Sequence, residues 1–593
     1  MNTTLRLLRS LRIGATLESG VQSTGSLCGL IRAVLPVVMV GGMALAALAQ
    51  YQFRTEVNPD GTVTVYQGPT CPAGALIIPD TIGGRIVSSI GESAFNGCTS
   101  LTNVNIPNNV TTIGQHAFAY CTSLNEVTIG SCVTTIAGWA FEACTSLAAF
   151  TVHPASTTYS TSDGALFDKN QTTLLLFPTG KPGSYTIPNS VLGIGYMAFW
   201  GCRGLTSVTI PNSVTAIGDA AFVGCTGLNS ITIPDSVEVI SRGAFWGCAG
   251  LTQVTIPNAV TNIGDGAFNQ CHSLTNITIP NSVTAIGGAA FGSCTALNSI
   301  TIPDSVTYLG DSMFSDCTNL IRIVIGNSVS GIGSDAFYGC GSLTSILIPD
   351  SVLSIGAEAF YGCTGLTNVM LGNGVAKIGP GAFLACTGLP AVIIPGSVSE
   401  WGGALGEGVQ DPTPGVFEGC TNLATATMLD GVNSIGVKAF ARCSGLTSVT
   451  IPNSVTKIGT RAFEGCSGLK AAYFEGNAPT DAWAGVFDTP TTVYYLPGTK
   501  GWTTTFARRP TAPWARPNPT ILDFGERFDP SRNDFGFVIS WATNVPVVVE
   551  ASADIGGRGW TPNSTNTLTD GWVQFTDPEW KMQPARFYRV RGQ

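Results

Sequence analysis

The residues of this chain that could do chemistry are 18 cysteines, 3 histidines and 37 carboxylates. His116, His153 and His272 stand far apart. No His-Glu-x-x-His, paired Cys-x-x-Cys, Gly-x-Ser-x-Gly or P-loop string occurs, so the common signals for metal, nucleophile and phosphate chemistry are missing. Asp235, Asp304 and Asp350 recur where Asn stands elsewhere after a short strand, which is turn chemistry. Asp168-Lys169-Asn170 reads as a hairpin turn, because the alternating oxygen ligands of a calcium loop are lacking. No catalytic residue, metal ligand or cofactor is expected, and the chain does not read as an enzyme.

The cysteines carry the strongest pattern. Fifteen share one register, from Cys98 and Cys121 to Cys466, and twelve of the fourteen intervals are 23 residues. A Phe precedes each by three positions, from Phe95 to Phe463. Fifteen is an odd number for pairing, and parallel side chains in a ladder point the wrong way for bridging. The expectation is therefore fifteen buried free thiols acting as small hydrophobes. Cys28 lies in the leader. Cys71 and Cys132 fall outside the ladder, and a bond between them stays open.

These positions need an element that repeats. One unit runs Leu205-Thr-Ser-Val-Thr-Ile-Pro-Asn-Ser-Val-Thr-Ala-Ile-Gly-Asp-Ala-Ala-Phe-Val-Gly-Cys225. Leu205, Val208 and Ile210 alternate as the inward side of a short strand. Pro211-Asn212-Ser213 is a turn. Val214 and Ile217 form a second extended stretch, Gly218 bends the chain, and Ala221 to Cys225 suits a tight helical or 3₁₀ turn. One such coil cannot bury its own apolar side, so stacked neighbours must supply the core.

The string L-x-x-V-x-I-P-x-x-V-x-x-I-G-x-x-A-F-x-x-C resembles the BspA-type leucine-rich repeats of bacterial surface proteins, over about residues 76–475. The resemblance implies a leucine-rich-repeat solenoid. It also implies, with much less specificity, an adhesin-like role toward host matrix glycoproteins.

The rest of the chain divides around the repeats. Arg6, Arg9, Arg12 and Arg32, the apolar run Val34 to Leu48 and Ala47-Leu48-Ala49 read as a signal peptide over 1–49, with Gln50 as the mature start. A retained membrane anchor is the alternative; no later segment is long and apolar enough to span a bilayer. Residues 50–90 are expected as an N-terminal cap and first coil. The solenoid is expected over 91–506, with insertions near 154–186 and 402–414 and a degenerate C-terminal cap around Tyr494, Tyr495 and Trp502. Spacing from Val398 places Trp401 where other coils carry a core Ile. A Pro-rich linker over 507–519 and a small β-sandwich-like domain over 520–593 follow. The net charge of −9 and pI near 4.9 speak against nucleic acid and anionic lipid as partners.

Stacking puts the fifth residue of each first strand in one outward column. It reads Thr209, Thr232, Thr255, Thr278 and Thr301, then Val324, Leu347, Met370 and Ile393, then Thr427 and Thr450. If the column faces solvent, the four large residues form a continuous apolar stripe, with Arg322 two residues before Val324 as a charged rim. The bland reading is drift among β-favouring residues, or cover by a loop. The leading expectation is a secreted or cell-surface scaffold that binds an extracellular protein or glycoprotein on its concave strand surface. The competing one is a cell-envelope spacer that presents a C-terminal attachment or glycan-binding module.

Overall fold

The computed structural model describes residues 51–402, 413–482, 485–514, 520–522, 536–541, 545–552, 560–569, 572–577 and 587–592. The leader 1–49 and most of the second insertion, 403–412, lie outside the described residues. Every regular element in the described residues is a β-strand. No helix there is long and apolar enough to cross a membrane.

The architecture is a leucine-rich-repeat solenoid built of coils, each holding two short strands and a turn. Leu205–Thr209 and Ala216–Ile217 are the strands of one coil. They pair in parallel with the next coil, Ser207 opposite Ser230, Val208 opposite Ile231 and Ile217 opposite Ile240. Leu205, Val208, Ile210, Val214, Ile217, Ala221, Phe222 and Cys225 are all buried between the two ladders. Each residue of the repeat string meets a need of that stacking. Ser213 donates to the Val191 carbonyl of the preceding coil at 2.7 Å, and Ser351 and Ser454 do the same to Val329 and Val432. Gly218 lies so close to the coil before it that a Cβ would stand 2.8 Å from the Gly195 carbonyl carbon and the Tyr196 nitrogen.

The Phe–Cys segment differs from expectation: it is a turn without helix. Val223 and Cys225 donate within the turn, to Ala220 at 3.1 Å and Phe222 at 3.2 Å. The intervening amides of Ala220, Phe222 and Gly224 donate to Arg242, Ala244 and Trp246 of the next coil, each at 2.8 Å. A helix or 3₁₀ turn sends all its N–H groups one way along its own axis. Here every second one is committed to the neighbouring coil, so the peptide planes must alternate. That alternation puts Ala220 at φ 57° and Gly224 at φ 70°. The two left-handed positions recur coil after coil, and non-glycine residues there carry about 1–2 kcal/mol of backbone strain each.

The ladder thiols are buried and do more than fill space. Cys225 donates to the Phe199 carbonyl at 3.0 Å, Cys294 to Phe268 at 3.2 Å and Cys443 to Phe417 at 3.1 Å. Among the described residues, fourteen ladder cysteines are free. Cys98 is the exception and corrects the fifteen-thiol expectation: it forms a disulfide with Cys71, with Cα atoms 5.1 Å apart. Cys98 is the first rung of the ladder, so the cap lies against it in place of a regular coil. The strand Gly74–Ile77 pairs with Leu101–Asn105 and brings Cys71 alongside. Cys71 is therefore bonded to Cys98 and not to Cys132. Beside the thiols, the Phe rings stack from Phe199 to Phe487 with centroids 4.7–5.6 Å apart and planes within 13°.

The first insertion interrupts both ladders. Tyr159–Ser162, Ala165–Asp168 and Thr173–Leu176 pair antiparallel in sequence. The Asp168 carboxylate closes the middle turn, accepting from the Thr172 and Thr173 amides at 2.7 Å. Part of the insertion then acts as a coil. Thr173–Leu176 pairs in parallel with Gly193–Ile194, and Phe177 packs 4.9 Å from Phe199. Two apolar cores meet here, one from Val63 to Leu166 and one from Ala165 to Val493. Trp401 is buried at 4% exposure, with its strand partner Ile378 and the Phe440 ring at 5.9 Å.

At the C-terminal end, Trp502 packs on Tyr495, Phe474 and Phe506. Residues 509–513, anticipated as linker, are a strand, Arg509–Pro513, that runs parallel to Thr492–Tyr495. A two-residue hairpin with left-handed Ala507 and Arg508 leads into it. The extended φ of proline suits such an edge strand. The Arg509 guanidinium donates to the Phe487 carbonyl at 3.1 and 2.7 Å, in the role a cysteine thiol has in earlier coils. Residues 515–519 lie outside the described residues. Beyond them, two three-stranded antiparallel sheets share a core of Phe537, Ile539, Val547, Val549, Leu568 and Phe575.

Candidate functional site

The outward column is set by strand alternation. In each first strand the residue before it turns inward: Ile323, Ile346, Val369 and Val392 are buried. The following residue must then face solvent. Val324, Leu347, Met370 and Ile393 are exposed by 42%, 60%, 55% and 57%. Thr301, Thr427 and Thr450 are exposed at the same position on either side.

Stacking makes the four neighbours: the strand of Val324 lies beside that of Leu347, and the strand of Met370 beside that of Ile393. Thr301 lies opposite Val324, Leu347 opposite Met370 and Ile393 opposite Thr427. The Ile348 amide donates to the Met370 carbonyl at 2.9 Å, which holds those two coils in step. At about 4.8 Å per coil, four coils make a stripe about 15 Å long. Arg322 is exposed two residues before Val324, hence on the same face, and no carboxylate among the described residues pairs with it. Ile321, half exposed beside Arg322, widens the upper end of the stripe. Sequence reasoning passed over Ile321; its signal was the pair Leu320-Ile321 where other coils follow the Leu with Thr, Asn, Ala, Pro or Lys.

The stripe itself consists of aliphatic side chains, with Thr hydroxyls and one guanidinium beside it. Among the described residues no group of three His, Cys, Asp or Glu could hold a metal ion. Burial pushes the Cys294 and Cys340 thiols up to about 12, so they are poor nucleophiles as well as inaccessible ones. What the column offers is apolar area on a rigid frame, flanked by hydroxyls and one guanidinium.

Comparison with known proteins agrees with the architecture. The family described as the BspA type leucine rich repeat region matches in 6 copies, over residues 71–180, 177–298, 286–408 and 404–481. A search of the curated proteins returns no match. Among solved structures, a leucine-rich repeat protein from Bacteroides ovatus is similar at 29% identity, covering 75% of this chain and 98% of its own, with a TM-score of 0.46. A leucine rich cell surface protein from Faecalibacterium prausnitzii shares 28% identity over 74% of this chain and 96% of its own, with a TM-score of 0.33. The leucine-rich repeat protein of T. pallidum shares 30% identity over 38% of this chain and 90% of its own, with a TM-score of 0.25. The repeat string, the stacked coils and the extent of the family match place the chain in the BspA type leucine-rich-repeat family.

Proposed function

We propose that the chain is an exported scaffold that binds an extracellular protein or glycoprotein through its outward strand column. Val324, Leu347, Met370 and Ile393 form the apolar centre of the contact, and Arg322 its charged rim. The observation that carries this reading is the run of four exposed apolar side chains on neighbouring coils, flanked in the column by Thr301 on one side and Thr427 on the other. An isolated exposed apolar residue needs no explanation, whereas a contiguous patch on a rigid face does. Contacts of this kind draw most of their energy from a few central apolar or aromatic anchors and take orientation from a charged edge.

The experiment is to present the secreted chain to matrix proteins and serum glycoproteins beside two variants. One changes Val324, Leu347, Met370 and Ile393 to Thr, copying the neighbouring coils so that the strands keep their β-favouring residues. The other ends after Trp514, which keeps the Arg509–Pro513 strand in its cap. Binding that survives truncation and is lost in the quadruple variant supports the reading. Binding that survives the quadruple change and follows the C-terminal module sinks it, and makes the solenoid a spacer.

A further inference from the structure

The geometry points to a second binding site, for a neutral saccharide, on the turn side of the solenoid at the first insertion. Its members are Trp139, Trp200, His116, Tyr120 and Glu142. It is separate from the strand column and does not depend on the role given to that column.

The first observation is misplaced bulk. The two left-handed positions of the Phe–Cys turn are filled elsewhere by Gly, Ala, Ser, Met197 or flexible polar residues, such as Gly224, Gly243, Ala289 and Gln270. Among the described residues only two consecutive coils place aromatic side chains there: His116 at φ 53°, Tyr120 at φ 59° and Trp139 at φ 63°. Bulky side chains are strained in this conformation. The coil does not require them, since glycine closes the same turn in many other coils. None of the three is buried; Tyr120 is 49% exposed.

The second observation is how the rings meet. Trp139 and Trp200 belong to coils on either side of the inserted one, yet their rings touch edge to face with centroids 5.3 Å apart. The His116 ring lies nearly parallel to Trp139, 6.3 Å away and 16° off. The result is a partly exposed aromatic wall. Neither indole N–H finds an acceptor among the described residues.

The third is a held carboxylate beside the wall. One Glu142 oxygen lies 3.1 Å from His116 Nδ1, and the other accepts from the Tyr120 hydroxyl at 3.1 Å. Its charge also pushes the Tyr120 hydroxyl up from its ordinary value. The carboxylate is thus fixed in place with lone pairs to spare.

A pyranose has one face of C–H bonds and a rim of hydroxyls. An indole face covered neither by the His116 ring nor by the edge of the other indole suits the C–H face. Glu142 and the Tyr120 oxygen can accept from the rim, and the free indole N–H groups can donate to it. The negative carboxylate disfavours acidic sugars, so the ligand class is neutral. Protein ligands are the less fitting class, because the platform is one or two rings wide and lacks surrounding apolar area.

The test uses the full chain with a panel of neutral oligosaccharides, read by indole fluorescence and calorimetry. Trp139→Gly is the informative variant, because glycine relieves the left-handed strain. We expect it to stay folded, the relieved strain offsetting part of the ring packing lost, and to weaken the selected sugar by about tenfold or more, the loss of one aromatic stacking partner. Trp200→Phe and Glu142→Gln should weaken it by smaller factors, and the quadruple stripe variant should bind it unchanged. Two results would overturn the inference: no neutral oligosaccharide perturbs the indole signal, or Trp139→Gly melts lower while sugar affinity stays. The latter would make the ring pair a clasp between the two core blocks.

Discussion

Raising the pH should dismantle the solenoid abruptly, and the thiol ladder sets where. Among the described residues fourteen cysteines are free and buried. Burial holds thirteen of these thiols neutral; Cys294 and Cys340, for example, are pushed up from an ordinary value of 9.0 to about 12. Thiolate therefore forms readily only in the unfolded chain. The stabilisation is fully present below pH 9.0 and is lost as pH climbs from there toward 12. One pH unit into that window, each such thiol withdraws on the order of 1 kcal/mol. Coils unfold with their neighbours, so a block of roughly ten would lose on the order of 10 kcal/mol, comparable with the whole stability of a typical domain. The assay is a urea midpoint by circular dichroism at stepped pH under reductant, with thiolate absorbance followed in parallel. The midpoint should hold from neutral pH to about pH 8 and then fall steeply, and thiolate should appear only as structure is lost. Replacing Cys294 by Ala should remove one thiol's share of the slope. Thiolate titrating smoothly near its ordinary value while the dichroism stays intact would refute the reasoning, since the thiols would then be accessible in the folded chain.

Other expectations follow from single coils. Gln270→Gly removes a side chain from a left-handed position and should stabilise by about 0.5–1 kcal/mol, net of the added freedom of the unfolded chain, read as a rise in melting temperature. Gly250→Ala should instead cost about 2 kcal/mol or more, because its Cβ would stand 2.4 Å from the Thr226 carbonyl oxygen. Arg509→Met should leave the Phe487 carbonyl unpaired and cost about 1–3 kcal/mol, seen as faster amide exchange confined to the last coils. Cys71→Ser opens a bond between residues 27 apart in sequence. It should destabilise the N-terminal block by about 3 kcal/mol, measured against the same variant under reductant, where the difference should vanish.

Much of the fold is legible in the order of residues. The register of Phe and Cys requires a stack, because fifteen equivalent apolar positions have no other way to reach a common interior. The outward column follows from the same register, because alternation along a strand leaves no choice of face once Val208 or Ile323 is inside. Trp401 is legible by counting from Val398. Asp168 is legible as turn chemistry because nothing around it alternates oxygen ligands. The bond between Cys71 and Cys98 is not legible. Cys98 looks identical to fourteen other cysteines, and only the way the cap strand Gly74–Ile77 lies on the first coil sets it apart. The Pro-rich stretch misleads for a related reason: an extended proline segment has one local conformation, whether it crosses solvent or lies on a sheet edge.

By itself, then, the amino-acid order determined the period, the fold family, the inward and outward face of each repeat's first strand and the four apolar residues that share a column. All are consequences of spacing, and spacing is local. Tertiary structure decided what depends on neighbouring coils. Alternate amides of the Phe–Cys turn reach across to the next coil, which replaces a helical turn with left-handed positions. Trp139 and Trp200, two coils apart and 61 residues apart in sequence, come to share a wall because the inserted coil sits between them. No sequence pattern specifies such contacts, because they depend on how coils settle against an irregular neighbour and not on the repeat itself.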